Sequence, residues 1–237
     1  MTVRHDGLLV EWLGYATARL ETEDGFVAYL DPGRYGVLDG YDARDGDLVC
    51  VTHVHHYDSD GIGRVAKEDA TVVVYEGVDA NDTDRDVTPV DDLPYEVVRI
   101  GEEDHYAAGG VDAWSMPAYN EPDGPHVDED GEPYHPKGFG VAFLLSLGDA
   151  TVFWPGDSDA LDGFRELDAS LFLANIGGSV VMDRHEAADL AEALDPDLVL
   201  PIHYDTFDLL AADSAAFAAD VAKRGVPVVL DERGANQ

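Results

Sequence analysis

The chain has 237 residues and carries 50 Asp and Glu against 14 Lys and Arg, a formal charge of −36. The acids are spread along the whole chain rather than gathered in a tail, and the scarcity of bases argues against nucleic-acid binding, which needs a basic footprint. No stretch reaches the about 20 consecutive apolar residues of a membrane span, and the opening MTVRHDGLLVEW lacks the basic region and apolar run of a secretory signal.

In chain order, the first third reads as β-rich. Leu8–Leu20 and Gly25–Leu30 form a predicted hairpin around Glu21–Asp24, and Asp47–Thr52 a short buried strand running into HVHHYDSDG. A short helix is predicted over Ile62–Glu68, then strands at Thr71–Tyr75, Tyr95–Ile100 and Val111–Met116. Residues Pro117–Lys137 are rich in Pro, Gly and acids and read as a long loop, a kind of segment that is often functional. Phe139–Leu147 and Thr151–Trp154 make a hairpin around Gly148-Asp149, followed by a strand at Leu171–Ala174. Asp183–Leu194 has helical spacing and a capping pair, Asp183 with Glu186. Leu198–Ile202 is a strand, Ser214–Arg224 a helix stopped by Gly225, and Val226–Leu230 a last strand. With no repeat, linker or composition shift, residues 1–237 read as one α/β domain of sheets covered by helices.

Three polar motifs share one context, each following a short apolar strand: DLVCVT before HVHHYD, TVFWP before GDSD, and DLVLPI before HYD. Strand ends deliver side chains to one rigid sheet edge, and His and Asp are ligands of N/O-type transition-metal sites. In an extended segment His53 and His55 point the same way and can grip one ion, whereas His56 points to the other side unless the chain turns. A lone Gly-Asp is ordinary turn chemistry and a lone histidine after a strand is ordinarily a cap or turn residue, so the case rests on the three motifs together. His5, His105 and His185 have no motif context and read as surface or locally bonded residues. Cys50 lies in the apolar run LVCVT and reads as a buried thiol. Because it is the only cysteine, an internal disulfide is impossible, which favours the cytoplasm. The acid excess is most simply an adaptation to molar salt, since salt screens self-repulsion.

The ordered set WLGYATARLE, YLDP, VTHVHHYDSDGI, MPAYN…HPKGFGVAFLL, VFWPGDSD and NIGG…PDLVLPIHYDTF resembles the metallo-β-lactamase superfamily, in a branch of small hydrolases near the ascorbate-phosphate lactonases. The resemblance implies an αββα sandwich with one or two metal ions at one edge and a metal-activated water that attacks an ester, lactone, amide or phosphoester. Carried over residue by residue, His53 and His55 match the first two signature histidines, Asp157 the bridging carboxylate and His203 the closing ligand. In ungapped register Tyr57 stands at the family's Asp and Asp58 at its second-metal His. A one-residue insertion would instead match His56-Tyr57-Asp58 to His-x-Asp, and either register keeps Asp58 near the metals. Asn120 occupies a family histidine's place. His135 is the best replacement, with His126, amid an exposed-looking GPHVDED, second. Tyr15 also replaces a family His and reads as structural, while Gly177-Gly178 and Thr206 lie where a rim could contact substrate.

The expectation is therefore a metal site of His53, His55, Asp58, His135, Asp157 and His203. Asp157 and Asp58 are its catalytic carboxylates, Zn²⁺ is the default ion with Mn²⁺ or Fe²⁺ as alternatives, and the partner is a small-molecule substrate. The rival expectation, motivated by Tyr57 and Asn120, is a weakly catalytic or non-catalytic metal-binding regulator.

Overall fold

The computed structural model describes residues 2–231. The N-terminal half forms a seven-stranded sheet in the order β1 to β7. Its strands are β1 (Val3–His5), β2 (Leu8–Gly14), β3 (Thr17–Glu21), β4 (Val27–Leu30), β5 (Gly46–Val51), β6 (Ala66–Tyr75) and β7 (Glu96–Ile100). The first four pair antiparallel and the last four parallel. Alternation along β2, with Leu8, Val10, Trp12 and Gly14 buried, marks a strand with one core face, while β4, buried at every position, is covered on both.

The second sheet has six strands in the order β13-β12-β11-β10-β9-β8. They are β8 (His105–Ala108), β9 (Val111–Ala118), β10 (Gly140–Leu147), β11 (Ala150–Trp154), β12 (Leu171–Asn175) and β13 (Leu198–Ile202). Helix α1 (Ser59–Val65) follows the HVHHYD segment, α2 (Arg184–Leu194) lies against β12, and α3 (Ser214–Lys223) packs on α2. One hydrophobic cluster runs through both sheets, from Val10 and Val49 to Phe143, Phe172 and Leu200. Among the described residues no helix is long and apolar enough to cross a membrane.

Several expectations change. The segment Leu8–Leu20 is two strands, not one, because Gly14 and Tyr15 take positive φ values of 110° and 47° and turn the chain between β2 and β3. Helix α1 begins earlier than the periodicity indicates, since the Asp58 carboxylate accepts from the backbone N–H groups of Asp60 and Gly61 and caps it. It ends at Val65, where β6 takes over, five residues before the predicted strand. Val226–Leu230 is not a strand: it touches β13 through a single parallel bridge, Val228 to Val199, and Pro227 has no N–H to extend the pairing. Strands β1 and β8 are short elements that the hydrophobic pattern does not reveal. The Asp183–Glu186 capping box of α2 is present as predicted.

Ion pairs occupy many of the few cations, among them Arg19 with Glu21 and Asp45, and Arg99 with Asp91. Among the described residues most acids have no lysine or arginine ion pair, so the folded chain repels itself. The melting temperature is expected to rise steeply between dilute buffer and molar KCl. A melting temperature independent of KCl, or falling with it, would refute adaptation to salt.

Candidate metal centre

The centre is built on strand ends, with His55 and His56 in the turn after β5 and His135 in the loop before β10. Thr52 and His53 follow β5, Asp31 follows β4, Asp157 follows β11 by three residues, and His203 follows β13. The two sheets meet here through backbone: Val141 N–H donates to Thr52 O at 3.1 Å, and His53 bridges Gly140. Gly140 has to be glycine, because a Cβ there would stand 2.9 Å from the Cβ of His53.

After His53 the chain does not stay extended. The N–H groups of His56 and Tyr57 both donate to His53 O, at 3.1 and 3.2 Å, and this turn swings His56 back to the side of His53 and His55. Two groups of ligand atoms result. His53, His55, His135 and Asp157 form the first, and His56, Asp157 and His203 the second. Asp157 belongs to both: its Oδ2 lies 3.5 Å from His53 Nε2 and 3.4 Å from His135 Nε2, and its Oδ1 lies 3.4 Å from His56 Nε2 and 3.3 Å from His203 Nε2. His55 Nδ1 stands 3.3 Å from His135 Nε2, and His56 Nε2 stands 3.2 Å from His203 Nε2.

These separations fit transition-metal ions. A tetrahedral ion with ligands at about 2.0–2.1 Å holds its donors about 3.3 Å apart. Two of the atoms involved, His53 Nε2 and Asp157 Oδ1, are buried without a hydrogen-bond partner among the described residues, as is His203 Nδ1. Buried polar atoms seldom go unpaired, and a cation in each group would satisfy the first two. Charge state agrees. Burial, reinforced by the neighbouring imidazoles, pulls His53 down to about 3, while burial and His135 pull His55 to about 4 and burial and His56 pull His203 to about 4. These imidazoles are therefore neutral, the form that binds metal. Burial alone would push the Asp157 carboxyl up, but His56, His203 and His53 hold it well below the usual carboxylate range.

A second layer orients the ligands. Asp31, fully buried, accepts from Thr52 N at 2.8 Å, Thr52 Oγ1 at 2.9 Å and Trp154 Nε1 at 2.7 Å, and lies 2.9 Å from His56 Nδ1. This is a carboxylate–histidine arrangement that leaves His56 Nε2 free to face an ion. Thr52 Oγ1 also reaches His53 Nδ1 at 3.0 Å. Asn120 is no ligand: its Oδ1 accepts from His135 N at 2.9 Å and stands 3.1 Å from His135 Nδ1, and its Nδ2 donates to Asp159 Oδ1 at 2.8 Å. Asp159 is held in turn by Glu121 N–H and by His126 Nδ1 at 2.6 Å.

The expected residues thus come together with one exception. Asp58 lies outside both groups, because its carboxylate caps α1 and accepts from Arg34 N at 2.7 Å. His56, expected to point away, takes the place in the second group. Tyr57 is a core residue whose hydroxyl donates to Thr88 O. His126 is not exposed but buried in the Asp159 network, outside both metal groups. Tyr15 lies in the tilted ring contact of 4.6 Å against His203 and an edge contact of 5.1 Å against His56. Gly177 lines the closing turn, where a Cβ would meet His203 O at 2.8 Å.

His135→Ala is expected to weaken metal binding by more than the 10–100-fold typical of losing an outer-layer partner. His126→Ala should weaken it by less than about tenfold but cost about 1–3 kcal/mol of stability, since Asp159 loses a buried donor. Metal-competition titrations with denaturant melts check both, and the reverse ranking would refute the assignment of His135.

The family described as a β-lactamase superfamily domain matches residues 9–203. A UPF0173 metal-dependent hydrolase of Methanopyrus kandleri is 28% identical over 236 residues, covering 95% of this chain and 97% of that one. Among solved structures, the metallo hydrolase Igni18 of Ignicoccus hospitalis superposes with a TM-score of 0.67 at 20% identity, covering 95% of each chain. CmlA, a diiron β-hydroxylase from Streptomyces venezuelae, gives 0.63 at 14% identity over 95% of this chain and 53% of its own. With the family matched across both sheets and its centre assembled from their strand ends, the chain belongs to the β-lactamase superfamily and is a metal-dependent hydrolase of the metallo-β-lactamase fold.

Proposed function

We propose that the protein hydrolyses a small-molecule ester, lactone, amide or phosphoester with two zinc ions, one held by His53, His55, His135 and Asp157 and one by His56, Asp157 and His203. The observation that carries this reading is Asp157, whose two oxygens each stand at ligand-edge distance from a separate set of histidines. Bound ions would supply Lewis acidity and an activated water at neutral pH. The chain's own part is to keep His53, His55, His135 and His203 neutral by burial, to orient the ligand imidazoles through Asp31, Thr52 and Asn120, and to exclude bulk water from the buried side. The His-rich donor set favours zinc; that CmlA is a diiron enzyme makes iron the alternative to test.

The reading of the chain as a non-catalytic regulator loses its motive, because both departures have structural roles: Tyr57 fills the core and Asn120 aligns His135. A small-molecule partner and a cytoplasmic setting in high salt belong to the same proposal. The test is metal analysis together with turnover of activated esters, lactones and phosphodiesters in molar KCl, before and after chelation and zinc return. Two equivalents of metal with chelator-sensitive turnover support the proposal. Fully loaded protein inert on every class would favour the regulator.

A further inference from the structure

The metal groups form one wall of a cavity of about 270 Å³. Facing them are Tyr35, Tyr134, Val180, Phe207, Leu209 and Leu210. Among the described residues four large hydrophobic side chains are exposed: Tyr35 at 53%, Tyr134 at 43%, Leu209 at 51% and Trp114 at 37%. The first three stand together at this cavity. In so acidic a chain, apolar surface gathered at one mouth marks a binding face.

The aromatic wall is continuous from the ligands outward. Ring centroids are 4.6 Å apart for His203 and Tyr15, 4.8 Å for Tyr15 and Tyr35, and 4.7 Å for Tyr35 and Phe207. Arg34 is the cavity's lysine-or-arginine cation, and it is engaged by the protein. Its Nη1 donates to His55 O and its Nη2 to Tyr35 Oη at 3.0 Å, and its guanidinium carbon lies 4.6 Å from the Tyr35 ring centre. Arg34 and Tyr35 both adopt positive φ, 66° and 50°, with Asp58 holding the Arg34 N–H. Backbone strain of this kind persists where surrounding structure enforces it, and here it aims Tyr35 at the cavity.

We propose that this cavity selects an apolar acyl group, aryl or alkyl, and seats its carbonyl at the metal groups. The preferred substrate is then an uncharged ester, lactone or amide of an apolar acid, not a phosphoester or a polyhydroxylated compound. The inference rests on the hydrolytic reading above. Water adds to the carbonyl carbon, the acyl–oxygen or acyl–nitrogen bond breaks, and the products are the apolar carboxylate with the alcohol or amine, any released proton passing to solvent or to the amine.

The experiment uses zinc-loaded protein in molar KCl with p-nitrophenyl esters from acetyl to octanoyl, beside p-nitrophenyl phosphate and bis(p-nitrophenyl) phosphate. Values of kcat/KM are expected to rise about fourfold per methylene until the cavity fills, with both phosphates at least about a hundredfold below the hexanoyl ester. Leu209→Ser and Tyr134→Ser should each reduce the hexanoyl-to-acetyl ratio several-fold. A flat or falling chain-length series, or preference for either phosphate, overturns the inference. Calorimetry on metal-free protein gives a readout independent of turnover: octanoate and 3-phenylpropionate should bind at least about tenfold more tightly than gluconate. If neither the esters nor the phosphates are hydrolysed, the hydrolytic reading fails and the calorimetry alone decides, with tighter apolar binding upholding the cavity's selectivity and equal binding refuting it.

Discussion

Asp157→Ala is expected to empty both metal positions at once and to lower hydrolysis by on the order of a thousandfold or more. The argument is geometric. Neither ligand group contains another carboxylate, and the one shared between them is the only anionic ligand of both. Its loss leaves five imidazoles facing one another, and bringing two cations among them without an anion is unfavourable. The several kcal/mol by which a bound metal stabilises developing charge then disappears, and each 1.4 kcal/mol is tenfold in rate. Circular dichroism should stay native, because Asp157 sits beyond the end of β11 while the hydrophobic cluster lies beneath. Metal analysis on the purified variant decides the matter: one or two equivalents retained would refute the shared-carboxylate arrangement.

The second large effect is expected at Asp31, which belongs to neither ligand group. Asp31→Ala removes an acceptor shared by Thr52 N–H, Thr52 Oγ1, Trp154 Nε1 and His56 Nδ1, all buried. Burial would push this carboxyl up, yet the His56 imidazole and the donated hydrogen bonds hold it below its ordinary value, so it is ionised at neutral pH. Breaking a buried charged network by deleting one partner costs about 3–5 kcal/mol. Loss of an outer-layer carboxylate also weakens metal binding roughly 10–100-fold. Asp31→Asn keeps the shape and one acceptor oxygen and should fall between wild type and alanine in both respects. Denaturant melts of metal-free protein separate the stability term, and zinc competition the affinity term. An Asp31→Ala protein as stable as wild type would show that the network is not what holds His56.

How much of this was legible in the chain differs by residue. His53, His55, Asp157 and His203 were legible because each follows a short apolar run, and a strand end at a sheet edge is a place the pattern identifies. His135 was legible only through its neighbours in HPKG. His56 was not, because its direction depends on a turn closed by two bonds to His53 O, and strand periodicity carries no sign of that turn. Asp31 had a signal that went unused: GFVAYL-DP repeats the strand-then-acid context of the other motifs. Asp58 misled because a carboxylate three residues before Gly61 serves equally as a helix cap, and the cap is what the structure shows. His126 lies in a segment whose Gly, Pro and acids look solvent-exposed, and its burial comes from Asp159, 33 positions away. The two-sheet architecture was readable in outline; the division of Leu8–Leu20 was not, since a lone Gly14 inside an apolar run is a weak turn signal and the residue beside it that completes the turn is a left-handed tyrosine.

The distribution of ligands along the chain has a consequence for how the protein assembles. His56 and His203 are 147 positions apart, and His55 and His135 are 80 apart, so neither metal group exists until both sheets have formed and met. Contacts of such long sequence separation form late and slowly. Metal therefore latches a finished sandwich instead of templating one. The tight run of His53, His55 and His56 is available from the start and would be expected to bind cations in the unfolded chain as well, which would offset part of the stabilisation that metal gives the native state. In refolding, the productive order is sandwich first and metal second, and excess zinc present from the outset would be expected to retard assembly.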